Sequence, residues 1–117
     1  MKLSVIMPAY NEAKTLKRVV DEVETALKNI DKEIIIVNDA SKDETPEIIN
    51  KLKKKYKNIK SFNHETNMGK GASIRTGIKN ISGDLVIIQD SDLEYDPKDI
   101  IRLLNYREMK NYEVVYG

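Results

Sequence analysis

The sequence has 117 residues, with 20 lysines and arginines against 19 aspartates and glutamates, and it contains no cysteine. A chain of this length forms one domain and buries enough surface to need neither a disulfide nor a structural metal. The missing cysteine excludes thiol catalysis and zinc–thiolate sites, and a formal charge of +1 argues against a basic surface for nucleic acid. No apolar stretch reaches the length of a membrane span and no signal peptide precedes the first strand, so the expected compartment is the cytoplasm.

Apolar runs alternate with amphipathic stretches along the chain, which is typical of βαβ units around a parallel sheet. The first predicted strand, Leu3 to Met7, ends at Pro8 because proline has no N–H to give to a sheet. Apolar residues at three- and four-residue spacing predict a helix over about 13–28. The apolar run from Ile34 to Val37 predicts the second strand.

The middle of the sequence continues the alternation of helix and strand. Thr45 as an N-cap and Pro46 as the first helical residue predict the start of the second helix. A weaker third strand is predicted over Ile59 to Phe62, a third helix over Gly71 to Asn80 and a fourth strand over Leu85 to Ile88.

A last helix from Pro97 to about Met109 and a fifth strand that begins at Val114 complete the predicted elements. Strands that are apolar on both faces need helices on both sides, which predicts an α/β fold, a three-layer α/β/α sandwich with a mostly parallel sheet. The chain ends at Gly117 before any helix covers the fifth strand, so we expect a single domain, residues 1–117, truncated after that strand. Ligands of such sheets bind at the carboxyl ends of the strands.

Three acidic residues, Asp90, Asp92 and Glu94, stand at alternate positions directly after the fourth strand. Alternation points them to one side, where three like charges repel one another unless a cation or a proton lies between them. Oxygen ligands alone favour Mg²⁺ or Mn²⁺. The alternative is that Asp90 and Asp92 are turn or capping residues, but Asp96 and Pro97 already supply the turn before the last helix, which favours the metal site.

Polar residues also follow the first two strands. Asp39 lies at the tip of the second strand, where α/β sheets commonly bind a nucleotide's ribose or base, and an Asx turn is an equal alternative. Pro8, Tyr10 and Glu12 follow the first strand without any glycine, so they suit a flat base and a sugar hydroxyl better than a pyrophosphate. The alternative there is a strand exit with Asn11 as a helix cap.

A glycine-rich turn, Asn67-Met68-Gly69-Lys70-Gly71, precedes the third helix, where exposed amides can receive an anion. It is not a P-loop, because His64 stands where the first glycine of that motif would be. Lys70 and Arg75 would face phosphates, although exposed basic residues are more often solubilising. His64 has no partner that the sequence identifies, and we expect it to be structural.

In combination, these segments resemble the nucleotide-sugar-binding half of the family 2 glycosyltransferases, and among them the polyprenyl-phosphate sugar transferases, the group of dolichol-phosphate mannosyltransferase. The matching segments follow the family's order over nearly the whole chain: 8–12, 37–41, 67–77, 83–84 and 89–97. The resemblance implies a Rossmann-like sheet of the nucleotide-diphospho-sugar transferase type.

The resemblance also implies roles for single residues. It implies that four residues contact the base and ribose of a nucleotide-sugar donor, of the UDP-glucose or GDP-mannose class: Pro8, Tyr10, Glu12 and Asp39. Asp90 and Asp92 would hold Mg²⁺ or Mn²⁺ on the donor diphosphate, with Asp92 as the catalytic residue. Glu94 stands where these enzymes often carry a glutamine that also reaches the metal.

The reaction implied is the inverting transfer of a hexose, by direct displacement, to a polyprenyl (dolichyl) phosphate. Relatives continue after the position of Gly117 into a segment that binds the acceptor, so we expect this chain to hold the donor half of the site and to lack most of the acceptor half. Four lysines within 53–57 are most simply a solvated helix face, with peripheral attachment to the cytoplasmic side of a membrane as the minority interpretation.

Three other classes of protein compete with this interpretation. A receiver domain would phosphorylate Asp90, but Pro8-Ala9-Tyr10 replaces the acidic pair that such domains carry after the first strand. A haloacid-dehalogenase-type phosphatase places its D-x-D on the first strand instead. A non-catalytic nucleotide-binding or self-assembling fragment remains, with a homodimer formed through the exposed fifth strand.

Overall fold

The computed structural model of the chain describes residues 1–90 and 114–116. Strands and helices alternate along it as β1 (Leu3–Ala9), α1 (Leu16–Ala26), β2 (Lys32–Asn38), α2 (Thr45–Lys55), β3 (Ile59–Asn63), α3 (Lys70–Ile78), β4 (Leu85–Ile88) and β5 (Val114–Tyr116). The helix predicted to begin at Pro97 lies outside the described residues.

The five strands form one sheet in the order β3-β2-β1-β4-β5, and every neighbouring pair is parallel. In the middle of the sheet, Val5 of β1 is in register with Ile34 of β2 and with Ile87 of β4. The predicted parallel sheet is therefore confirmed. Within the described part of the chain β5 is at one edge, and its pairing with a second copy stays a prediction.

Helices cover both faces of this sheet. Alternate residues of β1 point to opposite faces, so Val5 and Met7 pack with α1 and α2 in one core, while Ile6 packs with Ile74 of α3 in another. In α1 the apolar residues at three- and four-residue spacing are the buried ones: Leu16, Val19, Val20 and Val23. The predicted three-layer α/β/α sandwich is confirmed.

The order of the strands determines at which edge of the sheet a ligand crevice forms. The chain builds β1, β2 and β3 in one direction with α1 and α2 on one face, and α3 then returns over the other face to place β4 on the far side of β1. In α/β sheets a crevice forms where the strand order reverses, outside the carboxyl ends of the strands. The segments that follow β1, β2 and β4 therefore meet at one edge.

The described helices are short, with 11 residues in α1, 11 in α2 and 9 in α3. None of these helices has both the length and the apolar character needed to cross a membrane.

The prediction that β1 ends at Met7 is wrong, because the strand continues through Pro8 to Ala9. The carbonyl of Ala9 accepts the N–H of Asp39 on the β2 side (2.9 Å), and the carbonyl of Ile6 accepts the N–H of Gln89 on the β4 side (2.9 Å). Since alternate residues bond to opposite neighbours, the missing N–H of Pro8 falls on the β4 side, where the paired residues of β1 end at Ile6. The hydrogen bonds between β1 and β2 therefore do not require an N–H at Pro8.

The prediction that Thr45 caps α2 is also wrong, because the helix begins at Thr45 and its cap position is Glu44. The Thr45 hydroxyl donates to Asp43 (2.5 Å) and accepts the backbone N–H of Glu12 (3.0 Å). This side chain therefore joins the loop after β1 to the loop after β2 instead of satisfying the first turn of its own helix.

Candidate functional site

A cleft of about 290 Å³ opens at the carboxyl ends of β1 and β2, beside the first turn of α3. It is lined by Pro8, Ala9, Tyr10, Glu12, Asp39, Asn67, Gly69, Lys70 and Ser73. The structure thus brings together the four residues predicted to contact base and ribose, and their roles remain predictions.

Hydrogen bonds between two loops fix the wall of the cleft formed by Tyr10 and Glu12. Asn11 has a φ of 52°, its N–H donates to the Ser41 hydroxyl (3.0 Å), and its side-chain oxygen accepts the N–H of Lys42 (2.8 Å). Asn11 therefore joins the two loops and does not cap α1, which begins at Leu16.

The loop after β2 turns sharply at Ala40, which has a φ of 62°. The N–H of Ser41 then donates to the side-chain oxygen of Asn38 (3.0 Å), and the amide group of Asn38 donates to Asn63 at the end of β3 (3.2 Å). Since Ser41 bonds to Asn38, Asp39 does not form the Asx turn that was its structural alternative.

Asp39 is a buried carboxylate, 4% exposed, on the floor of the cleft. Its Oδ1 accepts the backbone N–H of Met68 (2.8 Å) and lies 2.8 Å from Nδ1 of His64, and its Oδ2 accepts the N–H of Gly69 (2.8 Å). Burial raises the pKa of Asp39, but the hydrogen bonds from Met68, His64 and Gly69 outweigh burial and hold this pKa below its ordinary value. The side chain is therefore ionised at neutral pH.

His64 has partners on both ring nitrogens, which sequence analysis did not find. Nδ1 contacts Asp39, and Nε2 lies 2.8 Å from the hydroxyl of Thr76 in α3. Because an ionised carboxylate only accepts hydrogen bonds, Nδ1 carries a hydrogen and donates to Asp39. One signal was present in the sequence: His64 directly follows β3, whose carboxyl end lies at the same edge of the sheet as Asp39.

The turn into α3 depends on Gly69, whose φ of 95° is one that residues with a Cβ rarely adopt. This turn aims two consecutive N–H groups, of Met68 and Gly69, at the carboxylate of Asp39. The loop after β2 and the start of α3 are thereby held together across the cleft.

Asp90, directly after β4, forms an ion pair with Lys70 of the cleft wall, and its side chain is 13% exposed. Asp92 and Glu94 lie outside the described residues, and the described ranges contain no cluster of three potential metal ligands. The assignment of Asp90, Asp92 and Glu94 as metal ligands therefore stays a prediction. Arg75 is exposed on α3 and does not line this cleft.

Comparison with known proteins identifies the family. The profile of "Glycosyl transferase family 2" matches residues 4–117. A dolichyl-phosphate beta-glucosyltransferase of Trichomonas vaginalis is 43% identical over 97 residues, which cover 77% of this chain and 30% of the relative. The dolichol-phosphate mannosyltransferase of Pyrococcus furiosus is 35% identical over 104 residues, 89% of this chain and 29% of the relative.

Solved structures agree with the fold. S. aureus TarS 1-349 in complex with UDP-GlcNAc superimposes with a TM-score of 0.73 at 30% identity, over 92% of this chain and 32% of TarS. A Pyrobaculum calidifontis mannosyltransferase in complex with GDP-Man and Mn²⁺ has a TM-score of 0.72 at 23% identity, over 85% of this chain and 30% of that one. The chain thus spans about a third of the length of these proteins. Since the family profile matches from residue 4 to residue 117, the chain belongs to glycosyltransferase family 2.

Proposed function

We propose that the cleft binds a nucleoside-diphosphate sugar, and that the chain is the donor domain of an inverting hexosyltransferase whose acceptor is a polyprenyl phosphate. The observation that carries this proposal is Asp39, a buried and ionised carboxylate on the cleft floor. Three hydrogen bonds stabilise this buried charge, and the exposed Tyr10 lines the same cleft.

The free hydrogen-bonding capacity of Asp39 supports a base with a ring N–H. Each carboxylate oxygen accepts about two hydrogen bonds. Within the described residues Oδ1 accepts two, from Met68 and His64, and Oδ2 accepts one, from Gly69. The remaining position accepts a donor, and uracil and guanine both carry a ring N–H. UDP or GDP donors therefore suit this floor better than CDP or ADP donors, whose bases present an acceptor there.

Tyr10 supports the same assignment from the side of the cleft. Tyr10 is 42% exposed and lines the cleft, where its ring offers a surface for a flat base to stack on. Pro8 and the loop bonds of Asn11 hold the backbone on either side of it in place. Little entropy is then lost when a base binds.

The start of α3 supports a diphosphate next to the base. Gly69 and Lys70 line the cleft where the helix begins, and the amides and dipole of a helix N-terminus favour negative charge. The ammonium group of Lys70 adds a positive charge at the same wall.

We assign Asp90, Asp92 and Glu94 to a divalent cation, Mg²⁺ or Mn²⁺, with Asp92 as the catalytic residue. Asp90 pairs with Lys70 of the cleft wall, so its carboxylate lies beside the proposed donor site. A bound divalent ion would stabilise the negative charge that grows on the departing nucleoside diphosphate.

The acceptor is proposed for the whole enzyme from the names of the relatives, which act on dolichyl phosphate. A phosphate oxygen is already ionised at neutral pH, so the attack on the anomeric carbon needs no general base. Such an acceptor lies in a membrane, and we propose that the domain works at its cytoplasmic surface.

The test is calorimetric titration of the chain with UDP and GDP, each with and without Mn²⁺. We expect one nucleotide to bind more tightly with Mn²⁺, and Asp92→Ala to abolish this dependence on the metal. Asp39→Asn should weaken the binding by about 10- to 100-fold, the effect of losing a hydrogen bond to a charged group.

Asp31→Asn is the matched control, because Asp31 is an exposed aspartate just before the amino end of β2, opposite the cleft. The same chemical change there should leave the affinity unchanged. If wild-type protein binds neither nucleotide with Mn²⁺, the proposal is wrong for this chain.

A further inference from the structure

We infer that His64 is a positioning residue that leaves only one oxygen of Asp39, Oδ2, open to a ligand, and that it thereby makes the site selective for a base with a ring N–H. The inference rests on the proposed function, since it concerns the same carboxylate. It adds a residue that does not line the cleft, and a property, base selectivity, that the cleft lining alone does not provide.

Oδ1 of Asp39 has no acceptor position left within the described residues. It receives two hydrogen bonds of 2.8 Å, one from the backbone of Met68 and one from the ring of His64. Only Oδ2, which the N–H of Gly69 holds at 2.8 Å, keeps an acceptor position within the described residues. Because His64 occupies Oδ1, a ligand can bond only to Oδ2.

His64 is itself held in place by hydrogen bonds. Its Nε2 bonds to the hydroxyl of Thr76 (2.8 Å), its backbone N–H donates to the carbonyl of Asn38 (2.9 Å), and its side chain is 10% exposed. Thr76 lies on α3, the helix whose first turn forms the cleft wall. The ring therefore spans from the end of β3 to α3 and cannot rotate without breaking a buried bond.

Removal of the His64 ring would take one hydrogen bond from Oδ1 of Asp39. Asp39 would keep the N–H groups of Met68 and Gly69, so the turn into α3 would stay bonded. Oδ1 would gain an open acceptor position, which would accept the amino group of cytosine or adenine. The loss should therefore fall on discrimination between bases and leave the diphosphate contacts intact.

The experiment compares the affinities of UDP, CDP, GDP and ADP, with Mn²⁺, for wild-type protein and three variants, with Mn²⁺–pyrophosphate as a ligand without a base. His64→Phe keeps the ring and removes both nitrogens. His64→Asn keeps an N–H donor near the position of Nδ1. Thr76→Val keeps His64 and removes the hydroxyl that fixes its ring.

We expect wild-type protein to prefer UDP over CDP, or GDP over ADP, by at least about tenfold, the size of one hydrogen bond to a charged group. His64→Phe should reduce this ratio to about two while the pyrophosphate affinity changes by less than about twofold. His64→Asn should restore most of the ratio, and Thr76→Val should reduce it partly. If His64→Phe does not fold, the other two variants carry the test.

A purely structural role predicts a different result: a lower melting temperature, weaker binding of every ligand and an unchanged ratio between bases. That result, or a wild-type protein that binds UDP and CDP, and GDP and ADP, equally well, would overturn the inference and leave the nucleotide site in place. Absence of any nucleotide binding by wild-type protein would instead overturn the proposed function, and the inference with it.

Discussion

Ala40 occupies a backbone conformation that suits glycine better than alanine. Ala40 has a φ of 62°. It lies between Asp39, on the cleft floor, and Ser41, whose hydroxyl accepts the N–H of Asn11. A residue with a Cβ pays about 1–2 kcal/mol in this left-handed region. The loop keeps the conformation because the hydrogen bonds of Asn11 and Asn38 determine it from both sides.

Replacing Ala40 by glycine should therefore stabilise the protein. Relief of the strain outweighs the added freedom of the unfolded chain, about 0.4–1 kcal/mol, and leaves a net gain of up to about 1 kcal/mol. We expect Ala40→Gly to raise the melting temperature by about 2–6 °C, measured by scanning calorimetry. Ala72→Gly makes the same chemical change inside α3 and should lower stability by about 1 kcal/mol. A lower melting temperature for Ala40→Gly would show that the alanine is not strained.

At the scale of single residues, sequence reasoning located the cleft but not its internal bonds. Pro8, Tyr10 and Asp39 could be placed together because each lies at or just after the carboxyl end of a strand of the same sheet. The contacts of His64 with Thr76 and of Lys70 with Asp90 could not, because both depend on the path of the chain through the turn at Gly69. A turn of this kind is determined by tertiary contacts and leaves no periodic pattern.

At the scale of the elements, a buried glutamate joins the amino ends of the strands. Glu33 is 2% exposed, and its Oε2 accepts the Ser4 hydroxyl (2.7 Å) and the N–H of Ser82 (2.6 Å), while Oε1 lies 2.9 Å from the ammonium group of Lys60. It thus connects β1, β2, β3 and the turn before β4. The apolar run predicts β2 only from Ile34, whereas this network lets the charged Glu33 lie inside a strand that begins at Lys32.

The pH dependence of stability should report this network. Burial raises the pKa of Glu33, but hydrogen bonds from Ser4, Lys60 and Ser82 outweigh burial and lower the pKa to about 2, from 4.5. A lowered folded-state pKa stabilises the protein above pH 4.5, and this contribution is lost as the pH falls from there to about 2. We expect Glu33→Gln to lower the free energy of unfolding by about 2–3 kcal/mol at pH 7, because its amide group faces donors.

The measurement is urea unfolding of wild-type protein and Glu33→Gln between pH 7 and pH 2. The difference between the two should shrink as the pH falls through this window, since wild-type Glu33 then becomes neutral as well. Glu22→Gln is the control, because Glu22 pairs with Arg18 on the exposed face of α1 (3.1 Å) and such pairs contribute little. A constant difference at all pH values would mean that the carboxylate charge is not what stabilises the network.

At the scale of the whole molecule, the described residues cover the two faces of the sheet unequally. The face under α1 and α2 has a large apolar core, whereas the core under α3 consists of four buried residues, Ile6, Ile74, Val86 and Ile88. The alternation of apolar segments was enough to predict both layers. It did not indicate how closely α3 approaches the sheet, because that distance depends on a residue without a side chain.

That residue is Gly77, where an added Cβ would lie 2.6 Å from Cγ2 of Ile6 in β1. The side chain of Ile6 is buried and branched, so it cannot move aside cheaply. A methyl group there must push α3 away from the sheet, and α3 carries Lys70 and Ser73 of the cleft wall. One packing contact on the far side of β1 should therefore set the width of the nucleotide cleft.

Gly77→Ala should lower both stability and nucleotide affinity. Overpacking costs about 1–3 kcal/mol, and the higher helix propensity of alanine returns about 1 kcal/mol, so thermal unfolding should show a net loss of about 1–2 kcal/mol. Gly71→Ala is the matched control on the same helix, because its Cβ would meet only the guanidinium group of Arg75 at 3.5 Å, an ordinary contact. That variant should be as stable as wild-type protein or more stable. If the two variants instead show the same stability, Ile6 yields without moving α3, and the packing of α3 on the sheet does not determine the shape of the cleft.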